Sequence, residues 1–450
     1  MVLHRPRATP IQPWSRRGVL QAAGAGAGSL ALSGRVRAQA PTEITFAFAP
    51  DDSGAKDALI EAFNAAHDGR IRVTFREMPR ETDAFFDQMV SEFVAQADDI
   101  DVFGADVIWT AEMAANGWIV DLTARIQAAF DRDAFLAAAR NAVWYQNRLW
   151  AVPWFTAVGM LYYRRDLLEA AGFDSPPATW AELAEMAKAV TAQPDAPEYG
   201  FVFQGGAYEG GVTNAMEYIW NAGGRVLTGN VSVAGAPGVM IVSPNVVVVD
   251  NPDAARGLDE ARGLVEAGVA PEDVVEFREQ DGVDAFLAGE AVFMRNWPFV
   301  YGLLDTDAST LDPAQVGVAP IPVSAAGARS YSCLGGWNLA INARSPRREA
   351  AWEFIRFATA QERQLEHAAV GGFLPSLRAL YDDEKLRASL PIAALGLQSV
   401  ENARIRPISP YYSEISPRIA LAFNRLLRGE LTGTEAVQRL QRELRTIVRR

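Results

Sequence analysis

Apolar residues along this chain keep changing period, and the changes mark out its elements. Over residues 43–49 they alternate at Ile44, Phe46 and Phe48, the spacing of a strand with one buried face. Asp51-Asp52-Ser53-Gly54 breaks that pattern and caps a segment whose Ala55, Leu59, Ala62, Phe63 and Ala66 share one helical face. Residues 71–75 read as a strand again, Phe86, Met89, Val90, Phe93 and Val94 return to helical spacing, and 102–109 is a third strand. Strand, helix, strand, helix, strand predicts a parallel sheet with right-handed crossovers, whose ligands bind beyond the carboxyl ends of the strands. That places Asp51, Asp52, Arg80 and Asp106 near one rim.

Residues 149–191 read as a passage from one α/β lobe into another. The run 150–154 is strand-like and carries Pro153, which cannot donate to a ladder and suits an edge or a crossing. Gly159 separates it from a second apolar run, 160–163, and Arg164-Arg165-Asp166 then opens a short helix that Gly172 ends. Pro176-Pro177 forces an extended connection, and Thr179-Trp180-Ala181-Glu182 is a capping box for a helix with Leu183, Met186, Ala187 and Val190 on one face. Downstream, 239–249 predicts a strand or hairpin, and Ala254, Leu258, Ala261 and Val265 mark a helix. Residues 291–294 form a buried strand running into Arg295-Asn296-Trp297-Pro298, 316–322 a short strand, and 346–367 one long helix. The tail from Pro417 predicts two amphipathic helices.

The first 38 residues are set apart. Ser15-Arg16-Arg17-Gly18-Val19-Leu20 resembles a twin-arginine export signal, and a Gly/Ala-rich stretch and Val36-Arg37-Ala38 come after it, predicting a cut before Gln39. The stretch is too short and too weakly apolar to anchor the chain in a bilayer. The formal net charge is −13. The leader carries six arginines and no acid, so the remainder reaches −19 (36 basic against 55 acidic side chains), which argues against nucleic acid and anionic membrane surfaces. One cysteine, Cys333, excludes an internal disulfide, three histidines leave no His-rich metal cluster, and no cofactor is predicted.

In order, DVFGADVIW, the stretch from LWAVPW through YYRRDLLEAAGF to PPATWAEL, QGGAYEGG, RNWPFVYG, SCLGGWNLAIN, GFLPS and RIRPISPYYSEIS resemble the extracellular solute-binding proteins of ABC importers. The resemblance is to sugar-binding family 1, nearest the trehalose/maltose-binding branch. It implies an α/β, type II periplasmic-binding-protein-like fold, with two lobes joined by a multi-crossing hinge around a ligand cleft. Lobe 1 would be 39–156 plus 338–375 and lobe 2 157–337 plus 376–450, with crossings near 155–159, 335–337 and 373–376. The function implied is a monomeric, non-enzymatic periplasmic receptor. It would deliver a mono- or oligosaccharide, such as an α-glucoside, to the membrane subunits of an ABC permease. Two rivals stand beside it: a secreted carbohydrate-active enzyme using a carboxyl pair drawn from Asp51, Asp52, Asp106 and Glu209, and a receptor for a non-sugar solute.

Sugar recognition calls for flat aromatic faces and for carboxylate, amide or arginine groups. Trp297 and Trp337, each beside Pro or Gly, are the aromatic candidates; the alternative is core tryptophan. Gly335 and Gly336 could present backbone N–H groups or form a plain turn. The resemblance gives Asp106 a ligand role, against a helix N-cap, and gives one of Arg404 and Arg406 a ligand role, against solvated surface charge. Tyr208, Tyr301, Phe155 and Asp52 complete the set. Where relatives of the branch carry Tyr and Asp, this chain has Phe155 and Ala157, so two polar groups are missing from the implied site.

Overall fold

The computed structural model describes residues 40–51, 53–131, 133–232 and 240–448; the leader and Asp52 lie outside the described residues. The frame is two sheets. The alternating segments form β1 (Thr42–Phe48), β2 (Ile71–Glu77) and β3 (Val102–Asp106), with β1 paired in parallel to both others. Helices Ala55–Ala66 and Thr82–Val94 make the crossovers and bury Leu59, Phe63, Phe85, Met89 and Phe93. Strand β4 (Val152–Val158) belongs to this sheet, and Gly159 separates it from β5 (Met160–Arg164), which starts the second. There β5 is joined by β6 (Tyr199–Val202), β7 (Ala291–Asn296) and β8 (Val316–Ala319) in the order β8-β5-β7-β6. Strand β9 (Leu334–Ile341) then returns to the first sheet, antiparallel between β3 and β4. The dipeptide β10 (Leu374–Pro375) adds to the outer edge of β4, completing β10-β4-β9-β3-β1-β2.

The cores follow the apolar periods. Phe46, Phe48, Phe85 and Trp154 meet under the first sheet, and Phe201, Phe203, Trp180, Tyr218 and Phe423 meet under the second. The capping box forms as read: Glu182 N–H donates to Thr179 Oγ1 at 3.2 Å, and Thr179 N–H to Glu182 Oε2 at 3.1 Å.

The chain passes between the sheets three times, and the three passages lie side by side. Gly159 N–H donates to Cys333 O at 3.4 Å, while Ser332 Oγ donates to Gly159 O at 2.8 Å. Arg404 N–H donates to Ser332 O and Leu334 N–H to Arg404 O, both at 2.9 Å.

Five expectations change. Residues 373–376 are not a passage: Gly372, at φ 68°, ends helix Gln361–Gly371, and Pro375 sits on a sheet edge where its missing N–H costs nothing. Residues 376–401 stay with the first sheet, helix Ala393–Glu401 packing on β4, and the chain leaves it around Arg404. Gly335–Trp337 lie inside β9 rather than in a passage. The single helix over 346–367 is two, Arg348–Ala358 and Gln361–Gly371. The penultimate helix is Tyr412–Leu427, with Pro417 inside it; its start is fixed by Glu112, which accepts from Ser413 N–H at 2.9 Å and Ser413 Oγ at 2.6 Å.

Candidate functional site

Strand register gathers several candidates at one rim of the first sheet. Trp337 in β9 lies opposite Asp106, the last residue of β3, and opposite Phe155 in β4. Trp337 is half-buried: it stands edge-on to Phe48 and Trp109 at 4.9 and 5.4 Å between centroids, and stacks on Phe85 at 5.6 Å. It is both a core packing element and a partly open ring. Phe155 is buried, packed on Phe373 and His367 at 4.6 and 5.2 Å. Burial in that aromatic nest lowers the His367 pKa from 6.5 to about 4, so the ring is neutral at physiological pH.

The glycine pair answers to shape. At Gly336, φ is 114°, a region L-residues avoid, and a Cβ there would lie 2.5 Å from Phe155 O. At Gly335 a Cβ would lie 2.9 Å from the six-membered ring of Trp297, so the absent side chain is what lets that indole approach β9.

Trp297 follows β7 of the second sheet and is half-buried, with the Arg295 guanidinium 4.2 Å from its ring centroid. Arg295 is fully buried and forked onto Glu217 at 2.7 and 2.8 Å; Glu217 Oε1 also accepts Cys333 N–H at 2.9 Å, tying this pair to the second passage. Tyr208 opens helix Glu209–Asn221; its hydroxyl donates to Glu279 at 2.5 Å and Arg278 stacks 4.6 Å from its ring. Tyr301, in the short helix Phe299–Leu303, is half-buried and packs against the first core.

Arg406, 2% exposed, joins the two lobes. Its guanidinium donates to Glu209 Oε1 of the second lobe at 2.5 Å, Asp106 Oδ1 of the first at 3.4 Å, and Leu334 O at 3.3 Å. Glu209 also accepts from Tyr412 Oη at 2.7 Å and from Ser416 Oγ. Burial pushes Asp106 from 3.8 up to about 6 despite Arg406, with the Glu209 charge adding to the rise. Asp83 stands near Glu209, Arg278 and Glu279, and burial raises its pKa too. Arg404 is elsewhere, its guanidinium on the Tyr331 ring at 3.6 Å.

The structure thus brings together Asp106, Trp337, Gly335, Gly336 and Trp297, with Arg406 beneath, while Arg404 faces away to Tyr331. Sequence reasoning missed the Arg295–Glu217 fork and did not link Glu209 to Arg406. In both cases the partners are far apart along the chain, and only the run of polar residues in an otherwise apolar helix, Glu209 to Asn221, hinted at buried chemistry. Among the described residues no group of three or more His, Cys, Asp or Glu is disposed to hold a metal ion.

Comparison with known proteins adds an independent line. The profile of the bacterial extracellular solute-binding proteins matches residues 49–365. A probable ABC transporter-binding protein of Deinococcus radiodurans is 31% identical over 377 residues, 82% of this chain and 85% of its own. The mannitol-binding protein of Pseudomonas aeruginosa is 23% identical, over 79% of this chain and 81% of its own. The solved structure of maltose-bound MalE3 of T. maritima superposes with a TM-score of 0.81 at 36% identity, covering 90% of this chain and 99% of that one.

Proposed function

Because the chain belongs to the bacterial extracellular solute-binding proteins and is the solute-binding component of an ABC transporter, we propose that its cleft captures a carbohydrate containing an α-glucoside unit. The observation that carries this reading is the Trp297 ring seated over Gly335, on the same rim as Asp106 and Trp337. An apolar pyranose face suits the open indole, and the Asp106 carboxylate and the Gly335–Gly336 backbone suit hydroxyls. Phe155 and Ala157 narrow the polar demand, which favours a smaller sugar than trehalose or one with an apolar portion. Arg406 holds Asp106 in place rather than meeting the ligand, and Arg404 is outside the set.

An enzymatic reading has less support. Asp106 and Glu209 do meet, but through one guanidinium. Both Glu209 oxygens are engaged by Arg406, Tyr412 and Ser416, so Glu209 is not free to act with Asp106 across a scissile bond.

Contacts from both lobes stabilise only the closed arrangement, so ligand shifts the population toward it, and a monomeric receptor presents that closed form to its permease. Export uses the twin-arginine leader and delivers the protein to the periplasm. Replacing Arg16 and Arg17 together by Lys leaves unprocessed precursor in the cytoplasm; normal export of that variant rejects the route. The central test is a thermal-shift screen over α-glucosides, pentitols and hexitols, because a solute that binds only the native state must raise its stability. Hits are then examined by solution scattering for a fall in radius of gyration. Stabilisation by polyols alone, or tight binding with an unchanged radius, overturns the reading.

A further inference from the structure

A cavity of about 720 Å³ lies at the passages between the lobes, and its lining shares only Arg406 with the rim described above. Its walls come from both lobes: Asp133, residues 135–138, Arg140, Asn141, Arg378 and 400–401 of the first, Met216, Trp220 and 225–228 of the second. Its floor is the third passage, residues 403–408. The volume falls in the range of cavities that hold small organic molecules.

The charge balance of this lining is unlike the rest of the chain. The whole chain carries net −13, yet five arginines line the cavity, Arg140, Arg225, Arg378, Arg404 and Arg406, against two acids, Asp133 and Glu401. The two acids are taken: Asp133 by Arg140 at 2.6 Å and Glu401 by Arg378. Arg406 is neutralised by Asp106 and Glu209. That leaves Arg225, from the second lobe, and Arg404, from the third passage, with no carboxylate partner among the described residues. Nor can the neighbouring chain supply one, since no Asp or Glu occurs between Glu217 and Asp250.

Arg404 is half-buried on Tyr331, which fixes the plane of its guanidinium. Burial pulls its pKa below the usual arginine value, and the Arg225 charge adds to the fall, which places the two cations within electrostatic reach of each other. Two like charges held together at a cavity without a counter-charge cost free energy, and a planar fork is the group best suited to hold carboxylate or phosphate oxygens.

We infer that this cavity is a second binding site, taking a small organic anion with a carboxylate or phosphate head between Arg225 and Arg404. Because Arg225 belongs to one lobe and Arg404 to the passage between them, the anion ties the second lobe to the hinge. Its occupancy is therefore linked to lobe rotation, and by reciprocity to the affinity of the sugar cleft.

The test uses the mature protein in an anion-free buffer, with citrate and inorganic phosphate as probes and sodium chloride at matched ionic strength as control. Citrate raises the melting temperature beyond the chloride control, and titration calorimetry gives one site per chain. Arg225→Gln abolishes both effects. Arg225 is exposed and its replacement relieves the like-charge pair, so without anion this variant melts no lower than the wild type and keeps the wild-type affinity for sugar. Arg404→Lys keeps the charge, loses the fork, and weakens citrate at least tenfold. An equal response to phosphate places recognition in the head group alone; a response to citrate only assigns it to the organic body as well. Stabilisation by either anion that persists in Arg225→Gln, or that chloride matches, is a bulk salt effect and overturns the site.

Discussion

Replacing Asp106 by Asn separates a functional carboxylate from a structural one. Burial raises the Asp106 pKa from 3.8 to about 6 in the folded chain. For an acid whose folded value lies above its unfolded value, the stabilisation is fully present below pH 3.8 and is lost as pH rises through about 6. At pH 7 the ionised side chain therefore destabilises the fold, relative to its protonated form, by about 3 kcal/mol at 1.36 kcal/mol per pKa unit. Asn removes that charge. Its carbonyl oxygen can still accept the Ile108 N–H, 3.1 Å away from Asp106 Oδ1, and Arg406 keeps Glu209 as counter-charge. Asp106→Asn should thus stabilise the ligand-free protein at pH 7.5 by up to about 3 kcal/mol, a few degrees of melting temperature, with the gain vanishing by pH 4. The same change should weaken sugar binding at least tenfold, the signature of a group strained for function. The assay is thermal melting across pH 4–8 with and without ligand. Equal destabilisation at both ends of that range, with sugar affinity intact, would mean that Asp106 serves only to hold Arg406, and the reasoning fails.

The two tryptophans should separate in the same way. Trp297→Ala weakens sugar binding by at least about 1 kcal/mol with little loss of stability, whereas Trp337→Ala costs about 3–5 kcal/mol in urea unfolding because Phe48, Phe85 and Trp109 lose their shared partner; reversed outcomes would exchange their roles. Glu217→Gln strands the Arg295 charge in the core and should cost about 3–5 kcal/mol, and a loss under 1 kcal/mol would show that Gln204 and Trp297 suffice as partners. Gly336→Ala must carry a side chain at φ 114° against Phe155 O and should lose about 1–3 kcal/mol or more; an unchanged melting curve would deny that the left-handed backbone is fixed there.

How far the sequence reveals the molecule depends on the range of the interaction. Periods of two and 3.6 are local, so β1, β2, the two crossover helices and the capping box at Thr179 are readable as they stand, and β3 is readable too except that it ends at Asp106 and not at 109. Phe373–Ser376 misleads because Gly and Pro signal a break without specifying its kind. Here Gly372 ends a helix and Pro375 takes a sheet edge, and the true passage at Arg404 carries no glycine at all. The rim could be guessed at Asp106, since ligands gather beyond parallel strand ends. The fork of Arg295 on Glu217 and the bridge from Glu209 to Arg406 could not, because each joins separate elements whose approach is set by packing rather than by any local pattern.

Strand β9 gives the molecule a timing constraint. It fills the middle of the first sheet, between β3 and β4, yet it emerges from the ribosome only after most of the second lobe has been made. Until then β3 and β4 face each other across a missing strand, each with an unpaired ladder and apolar flanks such as Phe103 and Val152. A nascent chain stopped anywhere short of Ile341 has no complete first sheet and leaves one edge of β3 and both edges of β4 unpaired. The first lobe cannot mature as an independent N-terminal unit, so assembly of its sheet waits for the late eight-residue strand β9 and, after it, for the edge dipeptide β10.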